Sequence, residues 1–393
     1  MTEPPIHPLA TEVGREALAL AADQPDPDSL AAATALRARF ASELAAAALT
    51  QTGLRRSART KLGGARADAL LLTRIGLEQA SRGSVATHHA RRFVRAGVRR
   101  VLDLGCGIGT DALAMLDAGL DVVAVEADPE TASVARANLG DRAEVLLGDA
   151  VDLAPRLLGP GVGAYADPAR RTARGRTWRT DDLSPPWSFV EWLLRDGRSR
   201  GGATGVKLGP GLPHRVIPDG VEAEWVTDHG DTVEAGLWSG PGALVDGRAA
   251  MVLPDHRLVV DASAQALPVG EVGAVIYEPV GAVIRAGGIS QLGAALGARL
   301  VHPEIAYLTA DEPMRTPYAT AFEVLEVRPY SEQGLRQWAR QQQIGTLEIK
   351  KRGLDLDPAV LRRRLKLRGP AAATVILTRV GSGATMIVGQ RVR

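Results

Sequence analysis

The chain has 393 residues, enough for about two or three domains, and its low aromatic content of 4% predicts cores built mainly from Ala, Val and Leu. The single cysteine, Cys106, excludes a disulfide framework and a thiolate metal cluster, and the seven histidines show no metal-ligand spacing, so we expect no metal. No apolar run reaches the ~18 residues of a membrane span, and the N-terminus lacks the features of a signal peptide, which favours a cytoplasmic protein without a membrane partner.

Positive charge is concentrated at the C-terminal end of the chain. The net charge is only +2, yet residues 326–393 contain fourteen Lys or Arg and only five Asp or Glu. Either a polyanionic partner or a well-solvated cationic face accounts for this excess.

Residues 1–99 are predicted to form an N-terminal helical domain. Alanine-rich stretches there have high helix propensity, and Ser29 and Ser42 are candidate N-caps. From residue 100 the pattern changes to short apolar runs that alternate with helical stretches, beginning with 101–104 and 122–126. This alternation indicates an α/β domain with a parallel sheet over residues 100–321. We expect residues 240–321 to extend that domain, with a helix over 283–297.

The tail, residues 322–393, is predicted to be a small α+β domain with the element order β-α-β-α-β-β. Ser331 and Asp357 are the expected N-caps of its two helices. Leu361 and Leu365 should pack the second helix onto the sheet and leave its arginines in solvent. Lys350, Lys351 and Arg363 are therefore candidate contacts to the phosphates of a nucleic acid.

A glycine-rich turn stands where the first predicted strand of the α/β domain becomes a helix. Asp103-Leu104-Gly105-Cys106-Gly107-Ile108-Gly109 lets backbone amides approach a ligand closely. A nicotinamide-binding fold also has such a turn, but here Thr110 stands where its third glycine would be.

Two carboxylates follow the next strands of the same predicted sheet. Glu126 ends the second strand, where it can accept hydrogen bonds from ribose hydroxyls, and Asp149 follows the third, where it can meet an adenine amine. Asp128 is predicted to be the N-cap of the helix at Pro129 instead of a second ligand.

These motifs, at this spacing over residues 100–240, resemble those of the class I S-adenosylmethionine-dependent methyltransferases. The resemblance implies a Rossmann-like sheet and S-adenosyl-L-methionine as the cofactor. It also implies that Asp103, Gly105 and Gly107 line the methionine end, that Glu126 binds the ribose, and that Asp149 binds the adenine. The implied cofactor site includes, in addition, Cys106, Gly109, Ala127, Ala150 and Asp167.

Asp167-Pro168-Ala169-Arg170, after the fourth predicted strand, resembles the (D/N)PP(Y/W) motif of methyltransferases that act on exocyclic amines of bases. Asp167 and the Pro168 carbonyl would accept the amine hydrogens and so aim the nitrogen lone pair, a positioning effect. The chain departs from the motif at Ala169 and Arg170. Trp187 either supplies the missing aromatic plane or lies in the core where a loop enters a helix.

Residues 170–179 carry five arginines. Arg170 and Arg171 are candidate phosphate contacts at the mouth of the site, unless the segment is an ordinary solvated loop.

Two further segments carry a resemblance. Residues 71–93 are similar to the lead-in of trimethylguanosine synthase-like RNA methyltransferases, which makes Thr73, Arg74, Glu78 and Gln79 pocket candidates. The tail resembles the THUMP-like domain of one bacterial methyltransferase family, and such domains are associated with RNA modification. Together they predict a methyltransferase that acts on a base nitrogen of RNA. A small-molecule methyltransferase and a cofactor-binding protein without transfer activity are the alternatives.

Overall fold

The computed structural model describes residues 6–170 and 180–392. The chain divides into two units: the first comprises Met1–Glu224 and Glu234–Gly247, and the second comprises Trp225–Val233 and Arg248–Arg393. No helix in the described ranges is both long enough and apolar enough to cross a bilayer.

Within the described residues 6–99, six α-helices precede the sheet of the first unit. They are α1 Glu12–Ala22, α2 Leu30–Arg37, α3 Ser42–Leu62, α4 Gly64–Ala69, α5 Arg74–Gln79 and α6 Gly83–Arg95. Ser29 caps α2 as predicted, because its Oγ accepts from the amide of Ala32 at 3.2 Å. Ser42 does not cap α3, which begins at Ser42 itself after Ala41. These helices share one hydrophobic cluster with the sheet, so a single core extends over the boundary predicted at residue 99.

The sheet of the first unit follows the predicted alternation of strand and helix. Its elements are β1 Arg100–Leu104, α7 Thr110–Asp117, β2 Asp121–Glu126, α8 Pro129–Leu139, β3 Glu144–Leu147, α9 Ala150–Leu157, β4 Gly163–Ala166, the two-residue strands β5 Ala169–Arg170 and β6 Leu183–Ser184, α10 Trp187–Ser199 and β7 Thr204–Leu208. The parallel order is β3-β2-β1-β4-β7. The chain reverses direction across the sheet between β1 and β4, and ligand clefts of open α/β sheets form at such a point.

A long hairpin follows, formed by β8 Glu222–Asp228 and β9 Asp231–Ser239. Its base belongs to the first unit, where β9 pairs antiparallel with β7, and its tip belongs to the second. All seven residues of β8 are buried, including Glu222 and Glu224. Buried carboxylates need partners.

The second unit contains a seven-stranded sheet of order β13-β14-β12-β15-β18-β17-β16. The elements of this unit are β10 Arg248–Val252 and β11 His256–Val259, which lie outside that sheet, followed by β12 Val275–Pro279, α11 Gly281–Ala286, α12 Ile289–Ala295, β13 Arg299–His302, β14 Ile305–Ala310, β15 Ala319–Pro329, α13 Glu332–Gln341, β16 Ile344–Lys351, α14 Pro358–Leu365, β17 Ala371–Val380 and β18 Gly383–Arg391. The helix predicted over 283–297 is two helices, because Gly287 adopts a left-handed conformation with φ 84° and ends the first.

The tail has the predicted β-α-β-α-β-β order, but it does not stand alone. β15 pairs with β12 on one side and with β18 on the other. One face of the sheet packs against α13 and α14, where Leu361 and Leu365 are buried as predicted. Residues 248–321, predicted to extend the α/β domain, therefore group with the tail, and the predicted boundary at residue 322 falls inside β15.

Candidate active site

A cleft of about 710 Å³ lies in the first unit at the carboxyl ends of β1, β2, β3 and β4. Gly105 (φ 86°) and Gly107 (φ 56°) border it, and a Cβ atom at either position would project into open space. Cys106 also lines the cleft, although burial raises the pKa of its thiol well above the usual range. Gly109 is the N-cap of α7 and faces Leu139 instead, so it supports the turn without bordering the cleft.

Glu126 organises the glycine-rich turn from the end of β2. Its carboxylate accepts hydrogen bonds from the amides of Gly107 at 3.0 Å, Ala127 at 2.9 Å and Asp128 at 3.0 Å. Burial raises the pKa of Glu126 despite these bonds. Glu126 thus holds the turn and still lines the cleft.

The other predicted residues at this end take distinct positions. Asp128 caps α8 as predicted, because its Oδ1 accepts from the amide of Thr131 at 2.8 Å. Asp149 is exposed at the edge of the cleft and caps α9 through the amide of Val151 at 2.7 Å. Ala127 and Ala150 also line the cleft.

Asp103 lies on the floor of the cleft with 1% of its surface exposed. Its Oδ2 has no hydrogen-bond partner among the described residues. Burial, together with the nearby carboxylates of Asp111, Asp167 and Glu126, raises the pKa of Asp103 well above the usual range. A buried acceptor without a donor is costly, so this atom is suited to a cationic donor from a ligand.

Asp167 also lines the cleft, and it is paired with a lysine that the sequence did not point to. Its Oδ2 contacts Lys207 Nζ, near the end of β7, at 2.5 Å. Burial raises the pKa of Asp167, while Lys207 acts in the opposite direction. The neighbouring carboxylates outweigh burial at Lys207 and raise the pKa of its ammonium, which stays protonated.

The residues around Asp167 only partly match the prediction. Pro168 is buried and is not among the described lining residues, whereas Ala169 is. Ser184, Pro185 and Pro186 border the cleft, but Trp187 begins α10 and donates from Nε1 to Glu191 at 2.9 Å. The predicted aromatic plane is therefore not among the described lining of the cleft.

The predicted arginine contacts near Asp167 fall largely outside the described structure. The backbone of Arg170 pairs with Leu183, but its side chain and the whole of Arg171 lie outside the described residues. From the lead-in segment, Thr73, Arg74 and Gln79 line the cleft. Glu78 is not among the described lining residues, and its carbonyl accepts from Lys61 at 2.8 Å.

A buried histidine lies directly behind the cleft. His89 of α6 contacts Asp111 at 2.8 Å through Nδ1 and Glu234 at 2.6 Å through Nε2, and the Tyr165 hydroxyl is 3.0 Å from Nδ1. Although burial disfavours its charged form, Glu234 and Asp111 raise the pKa of His89 to about 10. The imidazolium links two cleft residues, Asp111 and Tyr165, to β9.

Arg92, one turn further along α6, is fully buried against the hairpin. Its guanidinium makes two bonds to Glu222, at 2.9 and 2.7 Å, and one to Glu224 at 3.0 Å. It also lies 4.3 Å from the ring centroid of Trp238. His88 contacts Glu224 at 2.7 Å. These pairs supply the partners that the buried carboxylates of β8 require.

Sequence reasoning missed Lys207, His89, Arg92 and their acidic partners. One usable signal was present: acidic residues at alternate positions in the apolar run of β8, and cations at helical spacing in α6. Buried acids in a strand require cations on the element that packs against it.

In the second unit, the predicted phosphate contacts of the tail differ in their exposure and in their ion pairs. Lys350, a predicted phosphate contact, is bonded to Glu278 at 3.1 Å and Glu348 at 3.3 Å. Lys351 and Arg363 are exposed. A cavity of about 400 Å³ lies between α13 and the end of α14, and four cations border it: Arg336, Arg340, Lys366 and Arg368. Its described lining contains no acidic residue.

Three family models match the chain. They describe a domain of unknown function over residues 5–58, a methyltransferase domain over 102–156 and a THUMP domain-like region over 319–391. A protein of Mycobacterium tuberculosis H37Rv, named an uncharacterized S-adenosylmethionine-dependent methyltransferase, Rv3037c, is 35% identical over 362 residues, covering 89% of this chain and 96% of that protein. The chain belongs to the S-adenosylmethionine-dependent methyltransferase family.

This methyltransferase also resembles a solved structure along almost its whole length. A methyltransferase-family protein from Porphyromonas gingivalis W83 aligns with a TM-score of 0.75 and 24% identity, covering 96% of this chain and 98% of the other. The first unit has the class I methyltransferase fold, and the enzyme transfers a methyl group from S-adenosyl-L-methionine. The unpartnered Oδ2 of Asp103 and the open space at Gly105 and Gly107 fit that cofactor, which carries an ammonium group and has to approach the backbone closely.

Proposed function

We propose that this methyltransferase acts on RNA and methylates a base nitrogen. The observation that carries the proposal is the cavity in the second unit bordered by Arg336, Arg340, Lys366 and Arg368. Arg340, Lys366 and Arg368 are exposed, and no carboxylate is among the cavity's described lining residues. Arg336 is paired with Glu332 at 3.0 Å, whereas a cavity lined by cations and by no described acid suits the phosphates of a nucleic acid.

The proposed cofactor contacts follow from the positions described above. Asp103 would receive the ammonium group, Gly105, Cys106 and Gly107 would border the methionine part, and Glu126 and Asp149 would accept from the ribose and the adenine. Ala127 and Ala150 would lie against the same ligand, and Gly109 would act by shaping the turn. Bound S-adenosyl-L-methionine supplies an activated methyl group.

Asp167 is proposed to orient the acceptor nitrogen. Lys207 occupies its Oδ2, so we assign Oδ1 to the hydrogens of the substrate amine, with the carbonyl of Pro168 as a second acceptor. Accepting these hydrogens would direct the nitrogen lone pair toward the methyl carbon. Positioning of this kind lowers the barrier without a metal or a strong base.

The first test is transfer of labelled methyl groups into total RNA from a strain that lacks this gene. We expect the wild-type protein to label RNA and Asp167→Ala to lower the rate at least about a hundredfold, because alanine has no acceptor for the amine hydrogens. Asp152→Ala, which alters an exposed acid on α9, is the matched control and should keep the wild-type rate.

If no label enters RNA although calorimetry confirms that the protein binds the cofactor, the hypothesis of an RNA substrate is wrong. A small molecule then becomes the favoured methyl acceptor. Equal rates for Asp167→Ala and Asp152→Ala would overturn the role of Asp167.

The second test addresses the cationic cavity. We expect Arg340→Glu combined with Arg368→Glu to weaken RNA binding about tenfold or more at low salt, because two phosphate contacts are lost. The slope of log K against log salt should fall in magnitude by about 1.4, at ~0.7 per contact. Filter retention of labelled RNA across a salt series measures both.

The control for this pair changes the same charge elsewhere. Arg37→Glu with Arg39→Glu reverses two exposed arginines of the first unit. If both pairs weaken binding equally, the cavity is no more than part of a diffuse cationic surface.

A further inference from the structure

Among the described lysines, Lys207 is the one whose ammonium contacts both Asp167, after β4, and the lead-in segment, residues 71–93. Its Nζ donates to Asp167 Oδ2 at 2.5 Å, to Ser81 Oγ at 3.2 Å and to the carbonyl of Gln79 at 3.2 Å. An ammonium has three donors, so these contacts use all of them. Gln79 and Asp167 both border the cleft.

We propose that Lys207 is a positioning residue for methyl transfer, which keeps Asp167 ionised and oriented while fastening the end of the lead-in segment beside it. The proposal rests on the proposed function, in which Asp167 aligns the acceptor. Lys207 acts through Asp167 and needs no contact with the substrate.

The charges around Asp167 show why it needs this partner. Asp111 on α7, Glu234 on β9 and Asp103 on β1 are the neighbouring acids, and Tyr165 on β4 adds a phenol. Among the residues that the structure describes, Lys61 on α3 and Lys207 on β7 are cations that interact electrostatically with Asp167. Within the described part of the chain, Lys207 is the cation in direct contact with this carboxylate, so its removal would leave Asp167 among acids with only the more distant Lys61 to oppose them.

A role for Lys207 as a general base conflicts with the same surroundings. Asp167, Asp111 and Glu234 together outweigh burial and raise the pKa of Lys207. The ammonium therefore keeps its proton near neutral pH and serves as a hydrogen-bond donor.

A further set of hydrogen bonds fixes the position of Lys207. Ser81, which accepts from Lys207, also hydrogen-bonds Asp111. Asp111 contacts His89 at 2.8 Å, and His89 contacts Glu234 at 2.6 Å. This continuous set of hydrogen bonds joins β9 to Asp167 and limits the rotamers open to each member.

The test compares wild-type, Lys207→Gln and Lys207→Arg over a series of pH values. In Lys207→Gln the pKa of Asp167 rises, so the acidic limb of the kcat profile for RNA methylation should move up by about one pH unit or more. Near neutral pH, kcat should fall about tenfold, with KM for the cofactor little changed. Lys207→Arg keeps the charge and should restore most of the activity and the wild-type limb. A loss that is equal at every pH would overturn the proposal.

A second arm needs no substrate and compares Lys207→Gln with Lys207→Gln/Asp167→Asn by thermal unfolding. An unpaired Asp167 with a raised pKa contributes stability below its unfolded pKa and loses it as the pH rises. The stability of Lys207→Gln should therefore fall progressively below that of the double variant as the pH rises above the unfolded pKa of the carboxyl group. The double variant buries no unpaired carboxylate there, so it also guards against a failure to fold.

The two arms separate the two hypotheses. If wild-type protein does not label RNA but the stability difference grows with pH, the proposed substrate fails and the Lys207–Asp167 coupling stands. If the two variants keep a constant difference at all pH values, the coupling is overturned whatever the substrate.

Discussion

Replacing Arg92 with leucine is expected to lower the free energy of unfolding by about 3–5 kcal/mol, because it removes one member of a fully buried set of charges. The guanidinium is 0% exposed and pairs with Glu222 and Glu224. Leucine would leave these carboxylates with an uncompensated charge and remove the cation above Trp238. Urea unfolding followed by circular dichroism measures the change.

Two controls show whether the loss comes from unpaired charge. Arg95→Leu alters an exposed arginine of the same helix and should change stability by no more than about 0.5 kcal/mol. Arg92→Leu combined with Glu222→Leu should recover part of the loss, since it removes one of the two carboxylates left without the arginine, while Glu224 keeps its contact with His88. Equal stabilities for Arg92→Leu and Arg95→Leu would contradict the buried network.

Glu126→Ala should weaken binding of S-adenosyl-L-methionine at least about tenfold, corresponding to loss of one or more charge-assisted hydrogen bonds of ~1.5–3 kcal/mol each. The substitution removes the proposed ribose acceptor. It also frees the amides of Gly107, Ala127 and Asp128, which the carboxylate now holds. Isothermal titration calorimetry with the cofactor measures the dissociation constant.

Glu144→Ala provides the comparison, because Glu144 is an exposed acid at the start of β3. It should bind the cofactor as the wild type does. Glu126→Gln retains one acceptor oxygen and should lie between the two. Wild-type affinity in Glu126→Ala would remove Glu126 from the binding site.

The parts of this protein that are predictable from sequence are those encoded locally. β1 to β4 have short apolar runs with helical stretches between them, and the glycine turn, Asp128 and Asp357 carry their signals within a few residues. Lys207 gave no such signal, because its partners lie 40 and 126 residues away at Asp167 and Ser81.

The domain boundary depends on pairing between distant strands. The residues of β15 predict a strand, but its neighbouring sequence does not indicate that it pairs with β12 as well as with β18. For the same reason the helix over 283–297 was predicted as continuous, since only the conformation of Gly287 divides it.

The shared sheet of the second unit also bears on how this protein can be divided or recombined. On one side of that sheet, Ile276, Val301, Ile305 and Tyr307 pack with Phe322, Ile376 and Ile387. The first four precede the region that matches the THUMP domain-like model, and the other three belong to it. A chain cut near Glu323 would leave two half-cores, each exposing apolar side chains and an unpaired strand edge, both of which promote aggregation. Exchange of this region between proteins, by evolution or by an engineer, would therefore preserve folding only if β12 to β14 moved together with the tail.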